Sequence, residues 1–114
     1  MINQKLLFAR AYEKEMGAQI PEIARPKFHL TPCVGWTNDP NGFSFYDGKF
    51  HLFYQANPYD TVWNAMHSGH AVSQDLLRWE YLPCAMAPDE DYDSFGVFSG
   101  TALTLPDGKH LLMY

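Results

Sequence analysis

The sequence predicts a mostly β chain behind a short N-terminal helix, arranged as the first blade and part of the second blade of a propeller. Three observations lead there. The 114 residues are 46% hydrophobic and 16% aromatic, too apolar for a disordered chain and rich in the types that suit strands. From Phe28 onward, short apolar runs alternate with Pro, Gly, Asn and Asp, as strands alternate with turns. Finally, residues 43–54 (FSFYDGKFHLFY) recur sixty positions later as residues 103–114 (LTLPDGKHLLMY). Asp47, Gly48, Lys49, Leu52 and Tyr54 match Asp107, Gly108, Lys109, Leu112 and Tyr114.

The elements follow in chain order. Residues 4–17 read as a helix, with Leu6, Leu7, Arg10, Tyr12, Glu13 and Met16 giving a partly amphipathic pattern. Asn3 is the expected cap and Gly17 the expected stop. Ile20-Pro21-Glu22 opens a connector, so residues 1–25 form a helical leader and residues 26–114 the β region. Each copy of the repeat is a strand, an Asp-Gly turn and a second strand, because Asp-Gly accepts the turn that matches strand twist. Between the copies lie two more strands, Met66–Ser73 and Arg78–Leu82, separated by Gln74-Asp75-Leu76. Four strands per repeat is the make-up of a propeller blade, although sixty residues is long for one, and two unrelated hairpins would also give the pattern. On the propeller reading the chain reaches the second strand of its second blade. Closure takes at least four blades, so the chain reads as a fragment.

Bulk properties exclude several partners. A net charge of −5 and a pI near 5.3 argue against nucleic acid and anionic membranes. Charges at Lys5, Arg10, Glu13, Lys14 and Glu15 leave no uncharged run longer than four residues in residues 1–17, Leu6–Ala9 among them, too short for a signal-peptide core or a membrane span. Cys33 and Cys84 lack metal-ligand or redox spacing and read as free thiols of a reducing cytosol, so the expected location is cytoplasmic. His67 and His70 are three apart, which places them on opposite faces of a strand and argues against a shared metal. The acidic run Asp89-Glu90-Asp91-Tyr92-Asp93 lacks the glycine and terminal glutamate of a calcium loop. No metal or other cofactor is expected, and the sequence carries no signal for an oligomeric state.

Trp36-Thr37-Asn38-Asp39-Pro40-Asn41-Gly42 is the most informative stretch. One reading is a tight turn, since Asp and Asn fold back on their own backbone, Pro fixes φ and Gly takes positive φ. The other is a glycosidase nucleophile, a carboxylate held beside an amide and two aromatics. The sixty-residue offset sets Asp39 opposite Ser99, both at the opening of a first strand, which in a propeller lines the central channel.

WTNDPNG resembles the Trp-Met-Asn-Asp-Pro-Asn-Gly signature of glycoside hydrolase family 32. Further similar segments follow in family order: FHL at 28–30, FYQ at 53–55, Trp63, GHAVSQDL at 69–76 with Trp79, Met86-Ala87-Pro88, and FSGTA at 98–102. The helical leader is similar to that of intracellular bacterial sucrose-6-phosphate hydrolases. The resemblance implies a five-bladed propeller followed by a β-sandwich, and retaining hydrolysis of terminal β-fructofuranosides. It implies Asp39 as nucleophile, contacts to the fructosyl unit from Asn38, Gln55, Trp63, Phe98 and Ser99, and Trp36 in the pocket wall. The expected partner is a small sugar such as sucrose, sucrose 6-phosphate or a short fructan. Two departures stand out: Ser68 replaces a large aromatic, and Thr37 replaces a commoner Met or Leu. The family's Arg-Asp-Pro and Glu-Cys motifs, the latter carrying the acid/base, would lie past Tyr114. The competing readings are a non-catalytic sugar-binding remnant and a structural β-domain whose NDPNG is only a turn.

Overall fold

The computed structural model describes residues 3–114, which are mostly β with one α-helix and two single-turn 3-10 helices. Helix α1 (Gln4–Gly17) is followed by β1 (Trp36–Tyr46), β2 (Lys49–Asn57), β3 (His67–Ser73), β4 (Glu80–Met86), β5 (Thr101–Thr104) and β6 (His110–Met113). The first four strands form an antiparallel meander in chain order, and β5 and β6 form a separate hairpin.

Both Asp-Gly pairs turn hairpins, as their chemistry predicts, but by different geometry. Asp47 and Gly48 (φ 48° and 76°) join the paired residues Tyr46 and Lys49, a two-residue turn with positive φ at both positions. In the second hairpin Pro106 fixes φ and starts the bend earlier. The Gly108 N–H donates to the Leu105 carbonyl at 2.9 Å, and only Gly108, at φ 82°, enters the left-handed region.

Two strand predictions shift. The run expected from Met66 begins at His67, because Met66 instead bridges to Gly96 across the molecule. The run expected over Arg78–Leu82 becomes Glu80–Met86 and crosses Pro83 at an irregularity in the ladder.

The helix matches its predicted span, and the Asn3 side chain accepts from the Lys5 N–H. Its buried face differs from the apolar pattern: Ala9 and Glu13 are buried, while Leu7 and Phe8 stand largely exposed. The reason is polar docking. Cys84 N–H donates to Glu13 Oε2 at 2.9 Å and Arg10 Nε donates to the Cys84 carbonyl at 2.9 Å, so helix side chains satisfy the backbone of edge strand β4. Gly17 ends the helix without positive φ; a Cβ there would stand 2.6 Å from Cys33 Sγ, so close approach is what requires glycine. Arg25 secures the connector by donating to the carbonyls of Gly17, Pro32 and Cys33 and to the Tyr81 hydroxyl.

One face of the meander buries Tyr54, Ala56 and Ala71 against Leu30 and Trp79. Gly69 belongs to this packing, because a Cβ there would lie 2.2 Å from the Tyr54 ring. On the other face the β5–β6 hairpin docks: the Gly42 N–H donates to the Gly100 carbonyl at 3.3 Å, and the Tyr46 hydroxyl to the Gly108 carbonyl at 3.1 Å.

Candidate active site

The NDPNG residues form neither a free turn nor the opening of a strand. They lie inside the eleven-residue strand β1. The ladder pairs Asn38 with Gln55 and Pro40 with Tyr54, leaving Asp39 unpaired in a bulge at φ 37°. Positive φ is costly for a residue with a Cβ, and Asp is among the types that tolerate it. Asn41 stabilises the bulge by donating from Nδ2 to the Asp39 carbonyl at 3.0 Å. The result is a single exposed carboxylate standing off the strand. Ser99 precedes β5 rather than opening it, and it comes to the same place from the second sheet.

Five of the seven residues singled out from the sequence are joined by four hydrogen bonds in one line. Trp36 Nε1 donates to Asn38 Oδ1 at 2.9 Å, and Asn38 Nδ2 donates to Gln55 Oε1 at 3.0 Å. Gln55 Nε2 then donates to Ser99 Oγ at 2.9 Å, and Ser99 Oγ to Asp39 Oδ2 at 3.3 Å. The direction of this line is dictated by its first member. An indole N–H can only donate, so Asn38 must turn its oxygen to Trp36 and its amide nitrogen to Gln55. The same logic orients Gln55, whose nitrogen then serves Ser99 and leaves the Ser99 hydrogen for Asp39. Among the described residues no hydrogen bond reaches Asp39 Oδ1, so one carboxylate oxygen is held and the other is available.

The line differs in burial along its length. Gln55 is only 5% exposed, whereas Asp39 and Ser99 stand at the surface. Such a gradient fixes the supporting amides while leaving the carboxylate open to a ligand.

Trp63 and Phe98 are not part of the line; both are about half exposed. Phe98 lines a narrow gap together with Asn41, Gly42 and Ser68. Ser68 is buried opposite Gln55 on β3, so its substitution for a large aromatic falls beside the supporting amide. His67 and His70 engage different groups: His67 meets the Ala65 carbonyl and the Tyr59 ring, His70 meets His51 and Phe53.

Sequence reasoning missed Asn41. It anchors the bulge through Nδ2 and accepts the Gly100 N–H through Oδ1 at 3.3 Å, tying the two sheets beside the site. The available signal was its place two residues after Asp39, where an Asn side chain reaches back to the backbone.

Comparison with known proteins places this arrangement in a family. Residues 29–114 match the model of the glycosyl hydrolases family 32 N-terminal domain. A β-fructofuranosidase of Zea mays is 52% identical over 90 residues, covering 79% of this chain and 13% of that protein. A sucrose-6-phosphate hydrolase of Zymomonas mobilis is 55% identical over 78 residues, covering 68% of this chain and 15% of that protein. The solved structure of a Bombyx mori family 32 β-fructofuranosidase variant in complex with sucrose superposes with a TM-score of 0.80 at 44% identity, over 94% of this chain and 22% of that one. The chain thus spans a small part of the length of its relatives. It belongs to glycosyl hydrolase family 32, within the N-terminal domain.

Proposed function

We propose that this chain carries the nucleophile half of a retaining β-fructofuranosidase site, with Asp39 as the attacking carboxylate. The observation that carries the reading is the directed line from Trp36 to Asp39 Oδ2, which leaves Oδ1 free. In the reaction Oδ1 bonds to the anomeric carbon as the bond to the leaving oxygen breaks, and an acid supplies that oxygen with a proton. Water, deprotonated by the same group, then releases fructose from the covalent intermediate. The acid is assigned to the family's Glu-Cys motif, outside residues 1–114. Retaining sites need their two carboxyl groups about 5–5.5 Å apart.

The substrate class is a terminal β-fructofuranoside: sucrose, sucrose 6-phosphate or a short fructan. Relatives named as a β-fructofuranosidase and a sucrose-6-phosphate hydrolase, and the sucrose complex of the Bombyx mori variant, support this class. Asn38, Gln55 and Ser99 supply amide and hydroxyl groups for sugar hydroxyls, while the half-exposed Trp63 and Phe98 offer aromatic faces to the ring. The meander and the β5–β6 hairpin correspond, on this reading, to the first blade and the start of the second in a five-bladed propeller. Residues 1–25 serve as a leader, and the two free thiols, Cys33 and Cys84, suit a cytoplasmic setting.

The test is turnover of sucrose and sucrose 6-phosphate by the full-length protein that contains this chain, against its Asp39→Asn variant. The amide keeps the shape and cannot attack, so activity should fall by several orders of magnitude with the fold intact. Near-normal turnover by the variant assigns the attack to another residue.

A further inference from the structure

We propose that His110 is a positioning residue for the Asp39 site, acting through Ser44 and the Gly42–Gly100 link. The inference rests on the reading of Asp39 as nucleophile and adds a residue on the far strand of the second sheet.

His110 lies in β6, away from the site. Its ring stacks on Tyr46 (centroids 4.4 Å apart, planes 13° apart) and meets the edge of His51 at 5.1 Å. Its Nε2 is 2.8 Å from Ser44 Oγ, and Ser44 Oγ donates to the Gly42 carbonyl at 3.1 Å. A hydroxyl has one hydrogen. Both contacts are met together only if that hydrogen goes to Gly42 and Ser44 accepts from His110 Nε2–H.

The chain of contacts continues into the site. The Gly42 N–H donates to the Gly100 carbonyl at 3.3 Å, while Asn41 Oδ1 accepts the Gly100 N–H at 3.3 Å. Gly100 is thus gripped on both sides by consecutive residues of β1, in a space so tight that a Cβ would lie on the Met113 carbonyl. Ser99 is the residue immediately before Gly100, and its hydroxyl holds Asp39 Oδ2. His110 pairs with Thr104, the last residue of β5 and five positions beyond Ser99. A neutral His110 suits the role: burial and the neighbouring His51 lower its pKa. The other titratable groups around it are His70, bonded to His51 at 3.0 Å, Tyr46, and Arg10 of α1, which lines the same cleft. Lys109 beside it is paired with Asp107.

Simple packing predicts a loss of stability alone when His110 is changed. Positioning predicts more. In the full-length protein, assayed below the melting temperature of every variant, His110→Leu should lower kcat roughly two- to tenfold, the scale of one neutral hydrogen bond. His110→Gln, which retains an N–H for Ser44, should recover most of that loss. In a Ser99→Ala background His110→Leu should cost nothing further, because the lever has no load. An undiminished kcat, a loss that glutamine leaves unrelieved, or an equal loss in both backgrounds overturns the proposal. Should the leucine variant not fold, His110→Asn, too short to reach Ser44, takes its place. The Gly42 and Gly100 amide resonances report the link independently of turnover. They should shift in the leucine variant and return in the glutamine variant, and unshifted amides overturn the lever. An inactive wild-type protein with the expected shifts would overturn the fructosidase reading and leave the lever standing.

Discussion

The Ser99 hydroxyl lies 3.3 Å from Asp39 Oδ2, although the two residues are sixty positions apart, Asp39 within β1 and Ser99 just ahead of β5. The contact converts a repeat in sequence into one edge of a site. Each partner stands where a regular ladder does not constrain it: Asp39 in a bulge, Ser99 in the segment before β5.

Removing that hydroxyl should release the carboxylate without emptying the site. Ser99→Ala in the full-length protein is expected to lower kcat roughly ten- to hundredfold, the range for a hydrogen bond to a charged group. Steady-state kinetics on sucrose check it. A kcat within twofold of wild type would mean the contact does not orient the nucleophile.

Trp36→Phe keeps the aromatic face and deletes the donor that sets the direction of the line. Asn38 and Gln55 are then free to flip. The expected effect is a loss in kcat of roughly two- to tenfold, smaller than for Ser99→Ala because a neutral hydrogen bond is involved. A larger loss than for Ser99→Ala contradicts the order of dependence.

Much of this is legible in the sequence. The helix span, both Asp-Gly hairpins and the meander follow from turn chemistry and strand periodicity acting locally. The pairing of Asp39 with Ser99 came from the offset alone. What could not be read depends on contacts distant in sequence. The buried helix face, Ala9 and Glu13 instead of the leucines, is decided by the backbone of Cys84, more than seventy residues away. The start of β3 is set by Met66 bridging to Gly96, and Gly17 is set by Cys33. The bulge at Asp39 was hidden because its residues read equally well as a turn.

Glu13 gives a stability test. Burial raises its carboxyl pKa, and the carboxyl accepts the Cys84 N–H. Glu13→Ala would orphan that buried donor and should cost about 1–3 kcal/mol, read as a lower melting temperature of this chain. Glu13→Gln retains an acceptor oxygen and should lose much less. Equal losses in the two variants would show that packing, not the hydrogen bond, holds the helix.

The histidine pair gives a pH test. His70 is pushed down to about 4, first by burial and then by His51 and His110. Its folded pKa is depressed below the unfolded value near 6.5, so the unfolded chain binds the proton more tightly. Stability from this group is therefore complete above about pH 6.5 and is lost as pH falls toward 4. Thermal melts of the chain across that window should decline, and His70→Gln should flatten the decline. An unchanged slope in the variant would assign the acid sensitivity elsewhere.

Attack of Asp39 on the sugar leaves a covalent trace. The most direct measurement is to trap the intermediate in the full-length protein with a slow fructosyl substrate, digest it, and locate the added mass by peptide sequencing. One fructosyl group esterified to Asp39, absent from the Asp39→Asn variant, is the expected result. A label on any other carboxylate, or a trapped adduct that survives in the variant, would contradict it.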